Sequence, residues 1–173
     1  VYSTDGKNWS RTEEFNHNWA SEAAVVELSD GTLRFFFRNG TTNLCYVDYN
    51  LSNHTWGSAV TMSNIDTNSN TQISAITYSK TANGKQVILV SCPTGRNRAG
   101  SNSSSGGERL NGSIFVFTVD GKTMSLEETI EVNSGNVQFM YSCLTERSDG
   151  SVAILFEDKE NAWGTGIATI PWT

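Results

Sequence analysis

No apolar run in this chain is long, and nearly every one is bounded by turn chemistry. Ala23 to Leu28 is closed by Ser29-Asp30-Gly31, and Thr32 to Phe37 by Arg38-Asn39-Gly40. Ile73 to Tyr78 leads to Ala82-Asn83-Gly84, Ser113 to Val119 to Asp120-Gly121, and Phe139 to Thr145 to Ser148-Asp149-Gly150. Between them lie Leu44 to Tyr49, a strand from Trp56 through Met62, Gln86 to Ser91, Met124 to Val132, Val152 to Phe156 and Gly166 to Ile170. This rhythm predicts short strands joined by tight polar turns. The one helix-like stretch, Leu126 to Val132, is too short to stand alone. A Gly/Ser/Asn loop is expected from Pro93 to Glu108.

The strands group into three rounds of an antiparallel four-stranded meander, the third incomplete. Four-stranded units of roughly 40–45 residues repeated radially are the pattern of a β-propeller, with a β-sandwich as the alternative. Ser, Thr and Asn supply about a third of the residues, which suits strands and polar turns rather than a helical bundle. Three rounds cannot close a ring that typically needs 4–8 blades. Residues 1–173 are therefore expected to be about half of a propeller, with the N-terminal half upstream and the first blade entered part-way.

The net charge of −6 and the absence of a basic block argue against nucleic-acid binding. No apolar run approaches the roughly 18 residues of a helical membrane span. Cys45, Cys92 and Cys143 show no metal-ligand spacing and are expected to be buried free thiols, with no metal site.

Ser3-Thr4-Asp5-Gly6-Lys7-Asn8-Trp9 resembles the Asp box of the bacterial sialidases, with one residue fewer before the Gly. In such a turn Asp accepts backbone N–H groups, Gly takes the strained dihedral and Trp plugs the blade. Asp48 to Trp56 is similar to a stretched, degenerate second copy. Longer likenesses follow in the family's order. Glu22, then Val25-Val26-Glu27-Leu28-Ser29-Asp30-Gly31, then Arg38, is similar to the segment with a catalytic Glu and a substrate-binding Arg. Glu108-Arg109-Leu110-Asn111-Gly112 resembles the R-x-N-G segment with another binding Arg. Tyr141-Ser142-Cys143-Leu144-Thr145-Glu146 resembles Y-S-x-L-T-E, which carries the nucleophile. Leu155-Phe156-Glu157 resembles L-Y-E, with Phe in place of Tyr.

The resemblance implies an all-β, six-bladed propeller of which this chain is the C-terminal half. It implies an exo-α-sialidase acting on sialic-acid-bearing glycans with retention, through a tyrosyl intermediate and without a cofactor. Tyr141 would be the nucleophile and Glu22 its base. Arg38 and Arg109 would grip the substrate carboxylate, and Glu157 would hold the upstream Arg of that clamp. The catalytic acid and that first Arg would lie upstream. A trans-sialidase, a non-catalytic glycan-binding propeller and a plain Asp-box scaffold are the alternatives. The family implies a secreted or cell-surface protein.

Chemistry supports this division of labour. A carboxylate nucleophile would be repelled by a substrate that carries a carboxylate on its anomeric carbon, and sialidases use Tyr instead. A phenol with a pKa near 10 needs an adjacent base. Arginine matches a carboxylate bidentately through its planar fork. Arg96 and Arg98, in the same loop as Arg109, are rival candidates that precede the R-x-N-G pattern. The meander gives an independent test. Strand order places Glu22, Arg38, Arg109, Tyr141 and Glu157 on one edge of the blades. The Asp box, both Ser-Asp-Gly turns and Asp120-Gly121 go to the other.

Overall fold

The computed structural model describes residues 1–17, 20–40, 43–67, 72–95, 109–134, 137–158 and 164–170. Arg96, Arg98 and Glu108 lie outside the described residues. All regular elements among the described residues are strands. Blade 1 contains β1 (Ser21–Glu27), β2 (Leu33–Arg38), β3 (Asn43–Asn50), β4 (Thr55–Trp56) and β5 (Val60–Asp66). β4 and β5 both pair with β3, so the blade's fourth strand is interrupted around Gly57. Blade 2 is β6 (Ser74–Ala82), β7 (Lys85–Gly95), β8 (Leu110–Asp120) and β9 (Thr123–Glu131). Blade 3 is β10 (Met140–Glu146), β11 (Val152–Asp158) and β12 (Gly164–Ile170). Every pairing is antiparallel, and apart from β3 with β5 each joins chain neighbours, so each sheet is a meander. The helix-like stretch Leu126–Val132 falls mostly in β9, an edge strand carrying Glu127, Glu128 and Glu131.

The blades stack face to face, and the middle one is buried on both sides. In β7, Ile88, Val90 and Cys92 pack toward blade 1 with Phe36 and Leu44, while Val87 and Leu89 pack toward blade 3 with Leu144 and Ile154. The alternation follows from the period of two along a strand. Two covered faces explain why Gln86–Ser91 and Ser113–Val119 read as almost unbroken apolar runs, whereas β10 alternates buried and exposed. Cys143 corrects the expectation of three buried thiols. It is exposed, on the face of blade 3 that no described element covers, whereas Cys45 and Cys92 are buried.

The loop expected from Pro93 is shorter than the sequence suggested. The β7–β8 ladder continues through Pro93↔Gly112 to Gly95↔Leu110. Proline is tolerated there because β6 pairs with β7 only as far as Ser91, leaving no ladder partner for the missing N–H.

The turns at the edge away from the proposed site follow their sequence chemistry. Asp5 accepts N–H bonds from Lys7 and Asn8, each at 2.8 Å, and Gly6 has φ 69°. Trp9 departs from the expected plug and is 64% exposed. The second copy is also shifted. Asn50, not Asp48, accepts the N–H groups of Ser52 and Asn53 and so plays the part of Asp5. Asp48 forms a bidentate pair with the buried Arg34, whose Nη2 also donates to the Lys122 carbonyl at 2.9 Å, fastening blade 1 to blade 2. Trp56 packs against Phe35 and Tyr49.

Candidate functional site

The register sorts the candidate residues to one edge. Ser21↔Arg38 and Met140↔Glu157 pair at the ends of their ladders, with the Ser-Asp-Gly turns at the opposite ends. Arg109 precedes β8 at the same edge, just before Leu110↔Gly95.

Glu22 and Tyr141 occupy matching backbone positions. Between Ser21↔Arg38 and Ala24↔Phe36, β1 has one extra residue, so Glu22 and Ala23 face Phe37 alone. Between Met140↔Glu157 and Cys143↔Leu155 the same happens to Tyr141 and Ser142, facing Phe156. Both are β-bulges, and both leading residues are left-handed, with φ 47° at Glu22 and 43° at Tyr141. A bulge of this kind ordinarily puts glycine there, because a Cβ is strained at positive φ. Two bulky polar side chains in that conformation are held by their surroundings, which is common at functional sites.

Arg38 donates from Nη1 to the Glu22 carboxylate, forming a partly exposed ion pair within blade 1. Arg109 places its guanidinium 5.1 Å from the centre of the Tyr141 ring, within cation–π range. Tyr141 is 49% exposed and so reachable from solvent. Among the described residues no hydrogen bond joins Glu22 to Tyr141, and Glu157 has no ion-pair partner. The structure thus brings together Glu22 with Arg38 and Tyr141 with Arg109, as two separate pairs. An apolar cleft of about 200 Å³ opens beside Glu22, lined by Phe15, Ala20, Phe35, Phe37 and Trp56.

The contact between Arg109 and Tyr141 has a backbone cause. Phe139 N–H donates to the Arg109 carbonyl at 2.7 Å, and Asn111 N–H to the Val137 carbonyl at 3.0 Å. These bonds strap the Arg109 segment to the strand entry carrying Tyr141. Asn111, at φ 58°, turns the chain so that Gly112 lies under Phe139. A Cβ on Gly112 would fall 2.0 Å from the Phe139 ring, which explains the glycine of the R-x-N-G pattern. Asn133 completes the strap. Its Oδ1 accepts from Gly112 N–H at 2.6 Å and its Nδ2 donates to the Gln138 carbonyl. Motif matching alone singled out neither Phe139 nor Asn133. The signal present in sequence was a glycine followed some distance on by an aromatic before Tyr141, which is too common to read.

No protein-family model matches the chain. The chain is 33% identical over 175 residues to the anhydrosialidase of Macrobdella decora and 31% identical over 168 residues to sialidase B of Streptococcus pneumoniae. Both alignments cover 94% of this chain. Its fold matches a leech intramolecular trans-sialidase complexed with 2,7-anhydro-Neu5Ac, with TM-score 0.76, 28% identity and 96% of this chain covered. It also matches the intramolecular trans-sialidase of Ruminococcus gnavus, with TM-score 0.75, 27% identity and 96% of this chain covered. The chain is thus similar to sialidases over nearly its whole length. It spans 22% of the length of the two curated relatives, and 26% and 36% of the two solved chains. The three stacked meanders, which match part of these sialidase folds, are thus blades of a β-propeller. Sialidases are the family in which tyrosine replaces the usual carboxylate nucleophile.

Proposed function

We propose that this segment supplies the nucleophile, its base and part of the carboxylate clamp of a sialoside-cleaving enzyme. It would form the C-terminal half of a six-bladed catalytic propeller in a secreted or cell-surface protein. The observation that carries the reading is Tyr141: half exposed, held at positive φ on the edge bearing Arg38 and Arg109, with a guanidinium over its ring.

In this reading Arg38 and Arg109 receive the carboxylate of a terminal sialic acid. That anion competes with Glu22 for the Arg38 guanidinium. Glu22 is thereby freed to take the Tyr141 hydroxyl proton as the phenolate oxygen attacks the anomeric carbon. The bond to the leaving oxygen breaks, and an acid from the upstream half protonates that oxygen. Glu157 holds the upstream Arg of the clamp. Water then attacks the anomeric carbon on the face the leaving group vacated and gives a proton back to the upstream acid. The bond to Tyr141 breaks, Glu22 returns its proton to the phenolate, and configuration is retained.

A second reading is favoured by the names of the relatives. Anhydrosialidases and intramolecular trans-sialidases recur among them, so a hydroxyl of the bound sugar could end the intermediate in place of water. The first step is common to both. Proton NMR of the full-length protein acting on a sialoside tests them together. An α-anomer formed first marks a retaining hydrolase, and an anhydro sugar marks intramolecular transfer. A β-anomer formed first contradicts the tyrosyl mechanism.

A further inference from the structure

Blade 2 carries no counterpart of Glu22 or Tyr141, yet its matching positions are occupied in a specific way. Arg38, Ser91 and Glu157 each lie seven residues after a turn glycine, Gly31, Gly84 and Gly150. Each pairs with the start of its blade's first strand: Ser21↔Arg38, Ser74↔Ser91 and Met140↔Glu157. Blades 1 and 3 place charge there and follow it with a bulge. In blade 2 the register runs straight on to Ala75↔Val90, and both paired residues are buried serines.

Both serines reach blade 3, Ser91 at its bulge and Ser74 just beyond it. Ser91 Oγ lies 2.8 Å from Ser142 Oγ, with the two residues 0% and 2% exposed. Ser74 Oγ accepts the N–H of Leu144 at 3.0 Å. Ser142 directly follows Tyr141 in the chain. β7, which carries Ser91, also pairs Gly95 with Leu110, the neighbour of Arg109. A short path therefore joins the backbone of Tyr141 to the strand that sets the height of Arg109.

Two hydroxyls in an apolar seam are not needed for packing. Replacing both members of a buried hydrogen bond with apolar groups is close to neutral for stability, whereas removing one leaves the other unsatisfied. We infer that Ser91 and Ser142 are positioning residues for the nucleophile, fixing the Tyr141 bulge against the strand that carries Arg109. This rests on the reading that Tyr141 is the nucleophile.

The test uses the full-length protein with Ser91→Ala, Ser142→Ala, the double variant and Tyr141→Phe. Thermal unfolding and the kcat and KM of sialoside cleavage are read for each. Either single change should lower Tm by roughly 2–10 °C, and the double change should recover most of that loss. A positioning role predicts that kcat of the double variant stays about 10-fold or more below wild type, with KM little changed, because misplacement by about 1 Å can cost 10²-fold. A double variant that regains both Tm and kcat overturns the inference and leaves a packing pair. Turnover that survives Tyr141→Phe overturns the underlying reading instead, and the inference with it.

Discussion

The bulges of blades 1 and 3 share a backbone and differ in what holds them. Each inserts one residue opposite a phenylalanine, and each starts with a side chain at positive φ. At Glu22 the support is electrostatic and local. The next residue is Ala23, and the carboxylate is tied to Arg38 at the end of the adjoining strand. At Tyr141 the support comes from the neighbouring blade. Ser142 bonds Ser91, Leu144 N–H bonds Ser74, and Phe139 N–H bonds the Arg109 carbonyl. In the proposed mechanism the base exchanges partners when an anion arrives and needs a tether that can let go, while the nucleophile meets a fixed carbon and needs one that cannot.

The largest expected effect is on turnover in the full-length protein. Glu22→Gln should lower kcat about 10²–10⁴-fold, the range for a positioned base, and Tyr141→Phe at least as much. Equal KM values across the set would show that the sugar still docks. A Glu22→Gln variant with wild-type kcat would remove blade 1 from the chemistry. Next in size is Gly112→Ala, whose new methyl meets a Phe139 ring that is fully buried and stacked on Phe156 at 4.9 Å. Denaturant unfolding should show a loss of about 3 kcal/mol, the upper part of the usual cost of overpacking. Unchanged stability would mean that the strap can slide.

The strain at the bulges can be isolated by comparing two replacements at one site. In an ordinary strand, Gly is less stable than Ala by roughly 0.5–1 kcal/mol. At residues 22 and 141 the order should invert, with Gly more stable than Ala by about 1 kcal/mol, because only Ala carries a Cβ into the left-handed region. Chemical denaturation of the four variants measures it, and the ordinary order at either site would show that its bulge is unstrained. Thiol labelling sharpens the contrast between covered and open faces. In the isolated segment of 173 residues one native thiol, Cys143, should react, and all three after denaturation. Cys92 should be slowest, since burial pushes its thiol up to about 12.

The smallest effect concerns the turns opposite the site. Three Asp carboxyls lie below the ordinary 3.8: Asp5 through the N–H groups of Asn8 and Lys7, Asp30 through that of Thr32, and Asp149 through the Ser151 hydroxyl and N–H. A lowered folded-state pKa stabilises fully above the unfolded value and ceases to do so as pH falls through the folded one. The protection of the Asn8, Thr32 and Ser151 amides relative to an unfolded chain should therefore be steady above about pH 5 and fall only in acid below about 3.8. Protection independent of pH down to about 2 would contradict these bonds.

The blades could be read because a period of two and Gly-containing turns are written locally. Strand order alone then placed Glu22, Arg38, Tyr141 and Glu157 on one edge. What could not be read depends on a neighbouring blade. Ser91 and Ser142 are 51 residues apart and look like any two serines in a Ser-rich chain. Arg34 read as an ordinary strand residue, although it is 1% exposed and joins two blades. Asp48 does not cap its own turn because its partner is Arg34, its cross-strand neighbour in the same blade. The exposure of Cys143 and Trp9 likewise depends on what lies against them.

The central claim is that Tyr141 forms a bond to the sugar. Quenching the full-length protein in acid during turnover of an activated sialoside, then digesting it and weighing the peptides, tests this directly. The peptide containing Tyr141 should carry the mass of one sialyl residue, and fragmentation should place it on that side chain. Glu22→Gln should slow the appearance of the adduct without moving it. An adduct on any other residue, or steady turnover with Tyr141 never labelled, would contradict the account.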